Sequence, residues 1–266
     1  MKEYITGSEL RTHAQCPYMF DLRYHQGYVP MVKRSSEVFG SYMHLTINKY
    51  LKGEVENPQG FFTSIWDKEK EFLVYPDREN GELLKSIGLE ILEQIPSFVK
   101  TLGKILEVEQ PYEGVLLGGT PIKGTPDFIV EKDGKKILFD WKIVSSTPFE
   151  GKEKIDPQLK VYSYLTGVED GAFIFVKRTR KPTIIPPRIT KISPKEEDVM
   201  LWAEQGILME EGPFYKNVSF FCGMCEYLPL CAGDPEGDTL FIKKEVPDRY
   251  AGISCKSLLT AKKERV

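Results

Sequence analysis

Apolar and polar positions alternate most clearly between residues 122 and 144. There, two β-prone runs, 122–131 and 136–144, flank polar residues centred on Asp133-Gly134. That dipeptide favours the positive φ angles of a tight turn, so the pattern predicts an antiparallel hairpin. Asp156 has the side chain of an N-cap, Pro157 suits the first helical position and Gly167 is placed to end the helix. The apolar run 171–176 reads as the strand after that helix, parallel to the second hairpin strand by a right-handed crossover. Upstream, Val38, Tyr42, Leu45 and Tyr50 recur at helical spacing over 37–51. Residues 58–75 and 79–104 read as further helices with Trp66, Phe72, Leu83, Ile87, Leu92 and Phe98 as core and a kink at Pro96. A helix beginning at Ser8 is expected to bend at Cys16-Pro17. Residues 105–117 turn strand-like, 182–192 return beside the 171–176 strand, and a helix with capping-box spacing from Ser193 runs to about Glu211, burying Trp202, Ile207 and Leu208.

These elements predict an α/β fold with a central mixed sheet, organised as one integrated domain. A helical region spans 1–104, a core sheet with its crossover helix 105–192, and a cysteine-rich segment 193–266. The 266 residues suffice for a substantial core. A formal charge of −3 supplies no global attraction to nucleic acid, so any such contact must rest on local patches or a bound metal. The opening residues carry no apolar signal core and no run approaches a membrane span, which makes the cytoplasm the expected location. Five cysteines in that setting are expected as ligands or free thiols rather than disulfides. No phosphate-loop motif points to a built-in motor.

Symmetry about the hairpin turn sets Asp127 opposite Asp140, with Cβ atoms roughly 4.5–5.5 Å apart. Two carboxylates at that distance repel unless a cation lies between them or one is protonated. Lys142, two residues past Asp140, points to the same face, while Phe139, Trp141 and Ile143 form the apolar one. A solvated Lys–Asp pair would leave the same trace in isolation. Gln158 and Tyr162 lie one turn apart on the crossover helix. His44 sits four residues after Gly40, whose missing side chain permits a close neighbour; by residue type it is a structural histidine or a ligand. Glu109 is either an exposed strand carboxylate or part of the same site. Lys177, Arg178, Arg180 and Lys181 form the densest basic run, suited to a solvated loop tip or to phosphates. Cys222, Cys225 and Cys231, spaced C-x2-C-x5-C, argue for a metal centre needing a fourth ligand, with zinc and iron–sulfur both compatible.

The ordered motifs Gly124/Asp127, Asp140/Lys142 and Gln158/Tyr162, with Pro126 before Asp127, resemble the RecB-type branch of the PD-(D/E)xK nucleases. An early Cys16-Pro17 followed by the late cysteine trio resembles the CRISPR-associated iron–sulfur exonucleases and the AddB nuclease domain within it. That resemblance implies a DNA nuclease, most directly an exonuclease acting on DNA ends. It implies Mg2+ or Mn2+ held by His44, Asp127, Asp140 and the Trp141 carbonyl, with Lys142 at the attacking water and Gln158 and Tyr162 positioning the strand. It also implies a [4Fe-4S] cluster on Cys16, Cys222, Cys225 and Cys231, leaving Cys255 a free thiol, and Glu109 as a supporting carboxylate. Recombination or CRISPR-adaptation proteins would be its partners. A non-catalytic DNA-binding or scaffold subunit, and a zinc-stapled nuclease, are the alternatives.

Overall fold

The central strands Phe128–Lys132, Lys135–Val144 and Asp170–Lys177 carry apolar side chains on both faces of the sheet, and helices cover them. The computed structural model describes residues 4–31, 33–235 and 237–244. The chain opens with β1 (Ile5–Thr6), α1 (Gly7–Gln15) and α2 (Pro17–Phe20), then passes through β2 (Tyr28–Pro30) to α3 (Ser35–Leu51), α4 (Pro58–Glu69) and α5 (Gly81–Lys100). Strands β3 (Lys104–Val108), β4 (Tyr112–Val115), β5 (Pro121–Gly124), β6 (Phe128–Lys132) and β7 (Lys135–Val144) follow. Then come α6 (Lys152–Ile155), α7 (Pro157–Thr166), β8 (Asp170–Lys177), β9 (Thr183–Ile184), β10 (Thr190–Lys191), α8 (Glu196–Glu211), α9 (Leu228–Ala232) and β11 (Phe241–Lys243).

The main sheet runs β10-β8-β7-β6-β3, with β9 also on β8; β7 and β8 are parallel and the other pairs antiparallel. Phe128, Val130, Phe139, Trp141, Ile174 and Val176 face a core shared with Phe39, Trp66, Ile91 and Ile95 of α3 to α5. On the other face Ile129, Leu138, Phe173 and Phe175 meet Leu159 and Tyr162 of α7. The result is a three-layer sandwich in which the alternation of β7 is visible directly, Phe139 and Trp141 on one side and Leu138, Asp140 and Lys142 on the other. A second small sheet, β1-β5-β4, packs with α1 and α8 beside the sandwich. Pairing of β11 with β2 closes the chain's two ends on one another.

The hairpin turn is where the pattern placed it: Lys132 pairs with Lys135 and both turn residues have positive φ, 51° at Asp133 and 74° at Gly134. Asp156 caps α7 by accepting the Gln158 N–H, Pro157 is its first residue and Gly167 ends it with φ 70°. α1 ends at Cys16, whose extended backbone separates it from α2.

Several expectations are corrected. The 122–131 run is not one strand: β5 ends at Gly124, β6 starts at Phe128, and the two lie in different sheets. Pro126 has no N–H to donate to a ladder, so the chain breaks there rather than bulging. Residues 105–117 likewise divide into β3 and β4 around Glu109, at φ 49°. The first helix begins at Gly7 with Thr6 as its cap, not at Ser8. In α8 the cap is Lys195, whose N–H donates to Asp198 at 2.9 Å, rather than Ser193. α5 runs through Pro96, and residues 101–103 lie outside it. Phe72, Leu45 and Leu208 are exposed, whereas their helices bury Met43, Ile47, Ala203 and Met209 instead. Periodicity marks an apolar stripe, but the neighbouring element decides which edge of the stripe it covers. Nor does Gly40 admit a close neighbour, since a Cβ built there would meet open space.

Candidate active site

Carrying the β6–β7 register one pair beyond Phe128 and Phe139 sets Asp127 opposite Asp140. Both side chains are buried, 9 % and 3 % exposed. The break at Pro126 frees Asp127 from the ladder, and its carboxylate takes up what the ladder leaves. Oδ2 accepts the Trp141 backbone N–H at 2.7 Å and stands 3.3 Å from His44 Nδ1, while Oδ1 accepts from Asn48 Nδ2 at 3.2 Å. Asp140 is answered from the opposite side. Lys142 Nζ lies 2.5 Å from Oδ2 and Gln158 Nε2 3.4 Å from Oδ1. Lys142 also donates to Gln158 Oε1 at 2.9 Å, and Gln158 Nε2 stands 2.7 Å from the Tyr162 hydroxyl. Asp127 with His44, and Asp140 with Lys142, Gln158 and Tyr162, are therefore two bonded groups, drawn from α3, the hairpin and α7, that the β6–β7 register sets side by side.

The two acids are displaced in opposite directions. Burial works against the charge on Asp127, but the His44 ring and the Trp141 N–H outweigh it and hold that carboxyl below its ordinary range. Asp140 is pushed up, by burial first and by the Asp127 charge as well, although Lys142 pulls the other way. Burial would lower His44, yet the hydrogen bond and charge of Asp127 raise it overall. Burial and then the Asp140 charge push Tyr162 up, so its hydroxyl stays protonated. Two close acids forced apart in this way are the arrangement that a shared cation relieves.

Glu109 lies at the edge of the Asp127 group. Its N–H donates to the Asp127 carbonyl at 2.8 Å, its Oε1 accepts from Asn48 Nδ2 at 2.9 Å and its Oε2 from Lys52 Nζ at 2.7 Å. Asn48 therefore bridges Glu109 and Asp127, and the sequence reading missed it. The available signal was its position four residues after His44, one turn along the same helical face. Two carboxylates and a histidine nitrogen are the ligand types that a divalent cation takes, and buried Asp140 Oδ2 has no hydrogen-bond partner, its contact with Lys142 being an ion pair outside that geometry. Among the described residues, however, no group of three or more His, Cys, Asp or Glu side chains is arranged to hold a metal ion.

The basic run stands apart. Lys177 pairs with Val144 at the end of β7, four residues past the Asp140–Phe173 pair, or roughly 13 Å along the strand. Arg178 is ion-paired with Glu79 at 2.7 Å, with its guanidinium over the Phe39 ring. Arg180 and Lys181 are exposed.

Cys16, Cys222, Cys225 and Cys231 line one cavity with Tyr18, Met19 and Tyr227. All four thiols are free, and Cys225 Sγ lies 3.8 Å from Met19 Sδ. The Ser219 N–H donates to Cys222 Sγ at 3.4 Å, and burial pushes the Cys225 thiol up. Cys255 lies outside the described residues.

A family model described as the PD-(D/E)XK nuclease superfamily matches residues 4–232. No curated protein matches the chain. Among solved structures, a protein named SSO0001 is similar at 18 % identity over 88 % of this chain and 87 % of its own, with a TM-score of 0.46. A protein named "Putative exonuclease" from Eubacterium rectale is similar at 16 % identity over 94 % of this chain and 87 % of its own, with a TM-score of 0.48.

Proposed function

This chain belongs to the PD-(D/E)XK nuclease superfamily, and from that premise we propose that it is a metal-dependent deoxyribonuclease, an exonuclease that hydrolyses phosphodiester bonds at DNA ends. The observation that carries the reading is that the β6–β7 register sets Asp127, held with His44, beside Asp140, held with Lys142, Gln158 and Tyr162.

His44, Asp127, Asp140 and the Trp141 carbonyl would hold Mg2+ or Mn2+. Such an ion polarises a phosphodiester oxygen and lowers the pKa of a bound water. The protein's own groups do the remainder. Asn48 and the Trp141 N–H fix Asp127 in one orientation, so its charge is in place before substrate arrives. Gln158 holds the Lys142 ammonium beside Asp140, where it orients the attacking water and offsets negative charge growing on the phosphate. Tyr162, kept neutral, anchors Gln158.

The four cysteines are proposed to hold a [4Fe-4S] cluster acting as a staple, not a catalyst. Four free thiols on one cavity supply the ligand types of that donor set, and those of zinc as well. An anaerobic preparation assayed on end-labelled DNA with Mg2+, Mn2+ or EDTA, with its absorption spectrum recorded, tests metal, cluster and reaction together. Cleavage should need the divalent ion, and Asp127→Ala or Asp140→Ala should reduce it at least 1,000-fold, about 4 kcal/mol of barrier. Purified, folded variants that still cut would remove these residues from the chemistry. DNA binding by the wild type without cleavage would favour the non-catalytic subunit, and a colourless protein containing zinc would replace iron in the staple.

A further inference from the structure

The candidate site leaves two cations beside it without a stated task. Gly7 of α1 packs directly on α7, where a Cβ would stand 2.9 Å from the Gln158 Cα. Arg11 lies one turn further along the same face and acts electrostatically on both Tyr162 and Lys152. Lys152, in α6, extends over the Phe173 ring with Nζ 5.5 Å from its centroid, and Lys142 Nζ lies 5.2 Å from the same centroid. Arg11 and Lys152 have no carboxylate within ion-pair distance among the described residues, whereas Lys142 has Asp140. Resting on the nuclease reading above, we propose that Arg11 and Lys152 form a phosphate subsite beside Lys142, gripping the backbone phosphate that flanks the bond being cut.

Lys142 and Lys152 share one aromatic ring, and like charges repel unless an anion joins them. Burial is the main reason that the Lys152 ammonium is disfavoured in the free protein, with Arg11 and Lys142 adding to the effect against the opposing pull of Asp156. Asp156 is otherwise occupied, accepting the Gln158 N–H at 2.9 Å as the cap of α7. A phosphate supplies the missing negative charge together with oxygens that both side chains can donate to. The chain's formal charge of −3 makes such a local grip necessary, and Arg178 of the other basic segment is ion-paired with Glu79. Arg11 sits on the solvent-exposed side of α1 and Lys152 is half-buried, so a strand can reach both.

Binding of a fluorescein-labelled single-stranded oligonucleotide, measured by anisotropy in EDTA across a salt series, reads this subsite without cleavage. R11Q and K152Q should each raise Kd about tenfold, the scale of a lost charge-assisted hydrogen bond. Each should also flatten the plot of log K against log salt by about 0.7, the share of one phosphate on a single strand. K152R and R11K should keep most of the affinity, and K132Q, exposed at the hairpin tip five residues past Asp127 at the end of β6, should match the wild type. Unchanged Kd and slope in R11Q and K152Q would overturn the subsite while leaving the nuclease reading to the Asp127→Ala cleavage assay. Wild-type protein that neither binds nor cuts DNA would overturn both. Because Arg11 is exposed, R11Q decides the matter even if K152Q were to fold poorly.

Discussion

At the scale of single residues, the site depends on side chains that hold other side chains. Asn48 is 1 % exposed and serves Glu109 and Asp127 through one amide nitrogen. Replacing it with leucine leaves two acceptors short of a donor in a buried region, at a cost of about 1–3 kcal/mol. Asn48→Leu should therefore lower the urea midpoint without changing the slope, and lower cleavage at least tenfold because Asp127 loses a restraint. An unfolding free energy unchanged within about 0.5 kcal/mol would show that the bridge contributes nothing. The residues that the fold gathers at the candidate site were legible from their types and spacing. Asn48 was not, because an asparagine acquires meaning only from the two carboxylates that folding brings to it.

Among elements, α1 approaches α7 closely, and a glycine permits it. A Cβ at Gly7 would meet backbone at 2.9 Å, which cannot rotate aside, and would also touch Val161. Gly7→Ala should separate the helices and cost about 1–3 kcal/mol, the usual penalty for overpacking. The loss is measurable as a lower melting temperature, accompanied by reduced cleavage because Gln158 moves with α7; a melting temperature at the wild-type value would mean that the helices part freely. Gly124 does similar work: an added Cβ would lie 2.9 Å from the Tyr162 ring. The hairpin, the capped crossover helix and the parallel strand after it were all readable in the chain, since turn chemistry and caps are local. The division of residues 122–131 between two sheets was signalled by Pro126, but which sheet each half joins depends on partners distant in sequence.

Over the whole molecule, the two ends of the described chain are bound together around the sandwich. β2 pairs with β11, the Tyr18 N–H donates to the Tyr215 carbonyl at 3.1 Å, and Asn217 Nδ2 donates to the Gln15 carbonyl at 2.8 Å. Cys16 from one end and Cys222, Cys225 and Cys231 from the other share a cavity within this junction. If a cluster links them, binding free energy at the thiols is folding free energy for both ends. Cys16→Ala should then bleach the protein's visible absorption and lower its thermal stability in an anaerobic preparation. A visible spectrum identical to the wild type would take Cys16 out of the ligand set.

Sequence alone determined the hairpin and its turn, the capped helix, the family motifs in order, and which cysteines have metal-ligand spacing, because each depends on backbone preference or on residue types a few positions apart. Tertiary structure decided which carboxylate is held charged and which is pushed up, that Asn48 supports Asp127, that Arg178 is paired with Glu79, and that Lys142 and Lys152 share the Phe173 ring. Burial and electrostatic neighbours set those outcomes, and both come into being only when segments tens of residues apart are packed against each other.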